Sequence, residues 1–146
     1  MKRGTLLVTA QLALLALLAV QAFLSWRVER WPVLAWVAVG AGVALGVWAL
    51  SANRPGNFNV HPEPRAGGRL VREGPYRWIR HPMYSALLLA GLGLVIGAGA
   101  WSAVALAALA SVLWLKARIE EAAMRAAHPD YADYERRTRR FVPFVF

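Results

Sequence analysis

The sequence contains no cysteine and is poor in charged residues, which make up 17% of its 146 positions. Without cysteine, the chain has no disulfide, no thiolate metal site and no cysteine nucleophile. Charged residues form about 25% of an ordinary soluble domain, so this composition argues against one. The three histidines, His61, His81 and His128, show no i, i+4 pairing, and we predict no metal site.

Apolar residues are in excess, at 58% of the chain, and they form long runs without charge. The runs Gly4–Trp26 and Pro32–Asn53 each suffice for one membrane helix, which takes about 20 residues. The run His81–Leu115 is longer and carries four glycines, so we interpret it as two helices in a tight hairpin. The sequence predicts an all-α, polytopic membrane bundle in one integral membrane domain (1–146), with four transmembrane helices at about 5–26, 32–52, 82–97 and 100–127.

The first apolar run also has some features of a signal peptide. Lys2 and Arg3 form a basic start, and residues 20–22 weakly resemble a cleavage site. Because the run is as long as a full membrane span, we expect a retained helix.

The net charge of +9 is distributed unevenly along the chain. Lysines and arginines concentrate before the first helix, in the 53–81 loop and from the end of the fourth helix into the 128–146 tail. Short loops rich in these residues stay in the cytoplasm, so we predict a multi-pass protein of a bacterial-type inner membrane with both termini, loop and tail cytoplasmic. This topology and attraction to anionic headgroups explain the basic surplus, and we expect membrane lipids rather than nucleic acid as partners.

A polar motif stands at the entry to the third apolar run. Residues 74–84 read Gly-Pro-Tyr-Arg-Trp-Ile-Arg-His-Pro-Met-Tyr, and Pro82 is suited to the first position of a helix. Arg80 and His81 would then lie beside free backbone N–H groups at the positive helix end. A polar site facing hydrocarbon is costly, so we interpret this one as a reaction site.

Glu120 and Glu121 lie where the fourth helix leaves the membrane. They can form local pairs with Lys116 and Arg118, each worth a few tenths of a kcal/mol. Alternatively, they hold a cationic ligand near the membrane surface. Since adjacent helical residues point about 100° apart, one can face the bundle while the other meets a ligand or an arginine of the tail.

Several other candidate residues also have a purely structural interpretation. Tyr76 and Tyr84 are typical of the aromatic belt at a membrane surface. Gly91 and Gly93 can simply allow helices to pack closely. The order in which these features occur along the chain favours a shared function.

That order resembles the isoprenylcysteine carboxyl methyltransferases, and the wider membrane methyltransferase group that includes phospholipid N-methyltransferases. The residues that carry the resemblance are Gly-Asn-Phe-Asn (56–59), Leu-Val-x-x-Gly-Pro-Tyr-Arg-Trp-Ile-Arg-His-Pro-Met-Tyr (70–84), Gly-Leu-Gly (91–93), Glu-Glu (120–121) and Tyr-x-x-Tyr with Phe-Val-Pro (131–143). They span about 90 residues. A soluble methyltransferase is excluded, because no strand is followed by a glycine-rich loop and a helix.

The resemblance implies an S-adenosylmethionine site at the cytoplasmic ends of helices three and four, with S-adenosylhomocysteine as product. It implies Arg80, His81 and Glu121 as catalytic residues, with Arg80 near the acceptor group. The cofactor-binding residues that it implies are Tyr76, His81, Tyr84, Gly91, Gly93, Glu120, Glu121, Tyr131 and Tyr134.

The expected reaction is methyl transfer to a lipid-like acceptor that enters from the bilayer, and a carboxylate acceptor is favoured. A carboxylate is already ionised at neutral pH and needs no general base. An amine acceptor needs a base, for which His81 or a glutamate is the candidate. The alternatives are a phospholipid N-methyltransferase, an NADPH-dependent membrane reductase and a non-catalytic membrane scaffold.

Overall fold

Helices make up the regular structure of the part of the chain that the computed structural model describes, residues 3–28, 30–53 and 69–145. In chain order they are α1 (Arg3–Trp26), α2 (Val33–Ala52), a 3-10 turn (Gly74–Arg77), α3 (Pro82–Ala98), α4 (Trp101–Ala127) and α5 (Tyr131–Arg137). The predicted all-α class is confirmed. The motif at 56–59, His61 and most of the 53–81 loop lie outside the described residues.

Within the described ranges, α1, α2 and α4 are long and apolar enough to cross a membrane. Many large apolar side chains on α1 and α2, such as Leu6, Phe23 and Val47, are exposed, as expected for helices that face lipid. Helix α3 has 17 residues and is shorter than a standard span, at roughly 25 Å. The count of four transmembrane helices therefore stays a prediction.

Helix α3 is the central element of the bundle and packs against α1, α2 and α4. Its contact with α2 depends on small residues, because a Cβ at Gly42 would lie 2.6 Å from the Ala90 amide nitrogen. On the other side of α3, a core of buried residues joins α1 and α4. This core contains Leu18, Tyr84, Ala105, Leu109, Leu113, Ala117 and Phe141.

Two glycines with positive φ shape the connections around α3. Gly99 (φ 89°) forms the turn between α3 and α4 and so makes the predicted hairpin. Gly74 (φ 56°) begins the 3-10 turn, and a Cβ there would lie 2.8 Å from Ala52 Cβ at the end of α2. The turn that precedes Arg80 and His81 is thereby fixed against α2.

The tail returns to the bundle through α5. Asp130 occupies the N-cap position of this helix, but its side chain makes no cap hydrogen bond and pairs with Arg72. Tyr131 and Tyr134 of α5 are buried, and Phe141 enters the core under the bundle. The tail is thus anchored, through residues 139–141, beside the N-terminus of α3.

The contact between α2 and α3 yields a test with an internal control. Gly42→Ala should lower the free energy of unfolding by about 1–3 kcal/mol, since the methyl group overlaps the α3 backbone. Gly40→Ala, where nothing lies within 4 Å, should be neutral or slightly stabilising because alanine is the better helix former. Thermal unfolding of both variants in detergent measures the difference, and equal stability would contradict this packing.

Candidate functional site

Pro82 is the first residue of α3, as the sequence predicts, and it places Arg80 and His81 at the helix entry. The backbone N–H groups of Tyr84 and Ser85 both donate to the His81 carbonyl at 3.0 Å. The side chains of Arg80 and His81 are each 9% exposed. Both therefore point into the protein rather than into solvent.

The tail lies directly against this motif through the segment 138–141, here called the tail segment. Residues Ile79 and Arg139 form a parallel bridge. The Arg80 N–H donates to the Arg139 carbonyl at 2.7 Å, and the His81 N–H donates to the Arg140 carbonyl at 3.1 Å. Ser85 Oγ donates to the Phe141 carbonyl at 2.6 Å. The tail segment is thus held beside the motif by main-chain hydrogen bonds and by the Ser85 hydroxyl.

Glu121 of α4 is the centre of the ionic contacts at this place, and its side chain is 1% exposed. It accepts from Arg80 Nε at 2.9 Å and from Arg140 Nη2 at 2.6 Å. His81 Nε2 lies 3.2 Å from its Oε1. We call Arg80, His81, Glu120, Glu121 and Arg140 the site cluster. A carboxylate buried so completely needs its contacts with Arg80, His81 and Arg140 to offset the free-energy cost of its desolvation.

Arg80 also connects the site cluster to α5. Its Nη1 donates to the Thr138 carbonyl at 2.7 Å and to the Glu135 carbonyl at 3.1 Å. These carbonyls belong to the last turn of α5 and the residue after it, where helix carbonyls lack intrahelical partners. The guanidinium of Arg80 is therefore shared between Glu121 and the tail.

Glu120 has a different environment from its neighbour. It accepts a hydrogen bond from the Tyr84 hydroxyl, and His81 Nδ1 lies 3.3 Å from its Oε2. Its side chain is 23% exposed, and among the described residues no arginine forms a salt bridge with it. The two adjacent glutamates thus divide into a buried, arginine-bound one and a more accessible one.

His81 lies between the two carboxylates, and each ring nitrogen is close to one of them. Burial by itself lowers the pKa of His81, but the hydrogen bonds and charges of Glu120 and Glu121 outweigh it and raise the pKa. Both nitrogens act as donors only in the protonated ring, which fits this geometry. The ring stacks on Tyr84 with centroids 5.4 Å apart.

The other predicted tyrosines form one group beside the site cluster. Tyr134 donates its hydroxyl hydrogen to the Tyr76 carbonyl at 2.8 Å, and Tyr131 packs edge-on against Tyr134. Burial, together with the charge of Glu120, raises the pKa of Tyr76 to about 12. Burial likewise raises the pKa of Tyr131 and of Tyr134. These phenols therefore stay protonated at neutral pH.

The structure does not bring Gly91 and Gly93 into the site cluster. A Cβ at Gly91 would meet Leu106 of α4, and one at Gly93 would meet the Ala35 carbonyl of α2, each at 2.6 Å. Both glycines thus serve contacts between helices. Their assignment to the cofactor stays a prediction, which this position does not favour.

A surface cavity of about 390 Å³ lies beside α5. Of the predicted site residues, only Tyr134 lines it. Its lining residues are Arg72, Arg77, Asp130, Asp133, Tyr134, Arg137 and Thr138. Thr138 also contacts Arg80, so the cavity adjoins the site cluster from the tail side.

The model of one protein family, Phospholipid methyltransferase, matches residues 31–130. The match covers more than two thirds of the chain and includes α2, α3, α4 and the motif at 74–84. The chain belongs to this phospholipid methyltransferase family. The resemblance to membrane methyltransferases is thereby confirmed, while similarity to the isoprenylcysteine enzymes in particular stays a prediction.

The match to the family model excludes α1 and the residues after 130. Tyr131, Tyr134 and Arg140 therefore lie outside the matched region of this phospholipid methyltransferase family member. A curated relative, the cobalt-zinc-cadmium resistance protein CzcN of Cupriavidus metallidurans, is 40% identical over 81 residues. The alignment covers 54% of this chain, which spans about 38% of the length of that relative. No solved structure matches the chain.

Several residues of the site were missed by the sequence analysis. Arg140 was one of four arginines between 136 and 140, and spacing alone does not distinguish it from the other three. Thr138 and Ser85 contribute through the tail segment, whose pairing with residue 79 joins distant parts of the chain. Lys116 was interpreted only as a partner of Glu120, and Gln11 was not considered. For Lys116 and for Gln11, the available sequence signal was a single polar residue within an otherwise apolar helix.

The unequal burial of the two glutamates predicts unequal effects on stability. Glu121→Gln should lower the free energy of unfolding by about 3–5 kcal/mol, because it leaves Arg80 and Arg140 without their buried carboxylate partner. Glu120→Gln should cost clearly less, since Glu120 forms no salt bridge with an arginine of the described residues. Thermal unfolding in detergent compares the two variants, and an equal loss would argue against the central position of Glu121.

The raised pKa of His81 predicts a pH dependence of stability. The folded protein holds the proton more tightly than the unfolded chain, so the stabilisation is complete below a pH of about 6.5. It is lost as the pH rises through the raised pKa. His81→Gln should flatten this dependence in thermal unfolding scans, whereas the control His128→Gln should keep it. A wild-type profile without this alkaline loss would contradict a protonated His81.

Proposed function

We propose that the chain is a membrane methyltransferase that transfers a methyl group from S-adenosylmethionine to a lipophilic acceptor at the site cluster. The observation that carries this proposal is the difference between Glu120 and Glu121 within a chain of the phospholipid methyltransferase family. Glu121 is neutralised by arginines, whereas Glu120 keeps a partly exposed carboxylate at the same end of the bundle.

The donor set at Glu120 fits the cofactor that this family's chemistry implies. S-adenosylmethionine supplies an electrophilic methyl group on a sulfonium, and it also carries an ammonium group. A partly exposed carboxylate can bind such a cation, and the Tyr84 hydroxyl fixes the carboxylate's direction. The half-buried Tyr76 and the buried Tyr131 and Tyr134 form an adjoining apolar wall with protonated hydroxyls. We therefore assign the cofactor to the side of the site cluster that carries Glu120 and Tyr84.

The protonation of His81 favours a carboxylate acceptor. A carboxylate attacks as the anion and requires no base, whereas an amine must first lose a proton. Each ring nitrogen of His81 faces a glutamate, and the two carboxylates raise its pKa, so the ring holds its proton as a donor and is not free to take one from an amine. Catalysis would then depend on alignment of the reacting groups, which can contribute roughly 7–11 kcal/mol.

We assign Arg80 a positioning role in this reaction. The resemblance places it near the acceptor group, but its N–H groups go to Glu121 and to the carbonyls of residues 135 and 138. It holds the tail against the motif and thereby encloses the reacting groups. The more exposed cation of the site cluster is Arg140, at 22% exposure, and it is the candidate to meet an acceptor carboxylate.

The surroundings of the site support a lipophilic acceptor. The helices that carry it expose large apolar side chains, so a substrate with a lipid tail can approach sideways through the bilayer. The alternative acceptor is the amine of a phospholipid headgroup. The two acceptors give products of different chemical stability.

The proposal is tested in two steps with the full chain in detergent. Calorimetry should detect binding of S-adenosylmethionine and S-adenosylhomocysteine but not of NADPH. Transfer of a labelled methyl group into a total membrane lipid extract should then give a product. Alkali releases the label as methanol from a methyl ester but leaves an N-methyl group intact. Lack of binding would favour a scaffold, and NADPH binding would favour a reductase.

A substitution at Glu120 separates binding from folding. Glu120→Gln should weaken the affinity for S-adenosylmethionine and for S-adenosylhomocysteine by about tenfold to a hundredfold, as expected when a charged hydrogen bond is lost. Calorimetry measures the dissociation constants. The control Glu73→Gln, at an exposed glutamate outside the site cluster, should change neither. Unchanged affinity in Glu120→Gln would remove Glu120 from the cofactor site.

A further inference from the structure

Lys116 is a charged residue in the apolar part of α4, and it is 1% exposed. Its neighbours on the helix, Leu113 and Ala117, belong to the buried core. A charge within a membrane helix is costly and rarely occurs without a function and a partner. Lys116 therefore requires an explanation beyond helix packing.

The ammonium group of Lys116 connects α4 to two other helices. Its Nζ donates to Gln11 Oε1 of α1 at 2.6 Å. It also lies 5.2 Å from the ring centroid of Tyr84 of α3, in a cation–π arrangement. Gln11 is 8% exposed, so both polar groups of the hydrogen bond are buried. The contact joins α1, α3 and α4 at one point.

This point lies next to the site cluster. Lys116 precedes Glu120 by one helical turn, so the two side chains occupy the same face of α4. Tyr84 joins them, because its ring contacts Lys116 while its hydroxyl donates to Glu120. The same ring stacks on His81. A continuous polar path therefore leads from Gln11 through Lys116 and Tyr84 to Glu120.

We propose that Lys116 is a positioning residue for the cofactor site and that Gln11 of α1 holds it in place. The ammonium fixes the Tyr84 ring from one face, and the ring directs its hydroxyl to Glu120. The proposal rests on the proposed function, since it concerns the carboxylate assigned there to the cofactor. It adds α1 to the site, although α1 lies outside the region that matches the family model.

A purely structural role for Lys116 makes a different prediction from a positioning role. If Lys116 and Gln11 have only a structural role, substituting them should change the stability of the bundle and leave ligand affinity and kcat unchanged. A positioning residue changes ligand affinity and turnover, and an arginine should partly replace it because a guanidinium also forms cation–π contacts and donates to an amide.

The variants Lys116→Met, Lys116→Arg and Gln11→Leu test the proposal in the full chain in detergent. Calorimetry with S-adenosylhomocysteine, methyl transfer into membrane lipid extract and thermal unfolding are measured for each. Lys116→Met should weaken binding or lower kcat about tenfold or more, as expected for a displaced site group, and Lys116→Arg should recover part of the loss. Gln11→Leu should have a smaller effect in the same direction.

The matched control is Gln21→Leu, which makes the same substitution in α1. Gln21 Oε1 is buried and has no hydrogen-bond partner among the described residues, so its loss should leave binding and turnover unchanged. Normal binding and turnover in both Lys116→Met and Gln11→Leu would overturn the proposal. If Lys116→Met does not fold, the comparison of Gln11→Leu with Gln21→Leu tests the proposal. Equal binding and equal turnover in these two variants would then overturn it. A wild-type chain that binds no cofactor would instead refute the proposed function, and this proposal with it.

Discussion

The buried carboxylate of Glu121 is the interaction on which the rest of the site depends. It is 1% exposed, and it binds Arg80 from the motif before α3 and Arg140 from the tail. A charge in this position is stable only when oppositely charged groups surround it. The motif, α4 and the tail are distant in sequence, so this one carboxylate defines how three separate parts of the chain meet. The parallel pairing of Ile79 with Arg139 follows from that meeting.

Because arginines neutralise the buried Glu121, its neighbour Glu120 is the more accessible carboxylate of the two. The two residues point in different directions from one helix, and only one of them faces the arginines. Glu120 is fixed by Tyr84 and by His81, whose pKa is raised by the two carboxylates, and it keeps part of its surface accessible. Membership in the phospholipid methyltransferase family gives this arrangement a chemical context. A cationic methyl donor and a bilayer-borne acceptor are consistent with a carboxylate at the end of an apolar bundle.

Much of the fold was predictable because it follows from local properties of the sequence. Long apolar runs must be helical in a bilayer, where each backbone polar group needs an internal partner. Pro82 set the start of α3, since its ring fits only the first helical turn. The roles of Glu120 and Glu121 were open in the sequence, because helical spacing gives the angle between two side chains but not the direction of either. Asp130, at the N-cap of α5, makes no cap hydrogen bond and pairs with Arg72 from a distant segment, a contact that local order does not specify.

The sequence by itself determined the helical membrane class, the order of the motif residues and their resemblance to membrane methyltransferases. These depend on composition and on short-range order, which the chain carries in any conformation. The tertiary structure alone decided that Glu121 is buried, that Arg140 rather than another tail arginine binds it, and that Lys116 meets Gln11. Such contacts join residues up to 105 positions apart. They depend on how helices pack and which faces they present, and no local pattern specifies that.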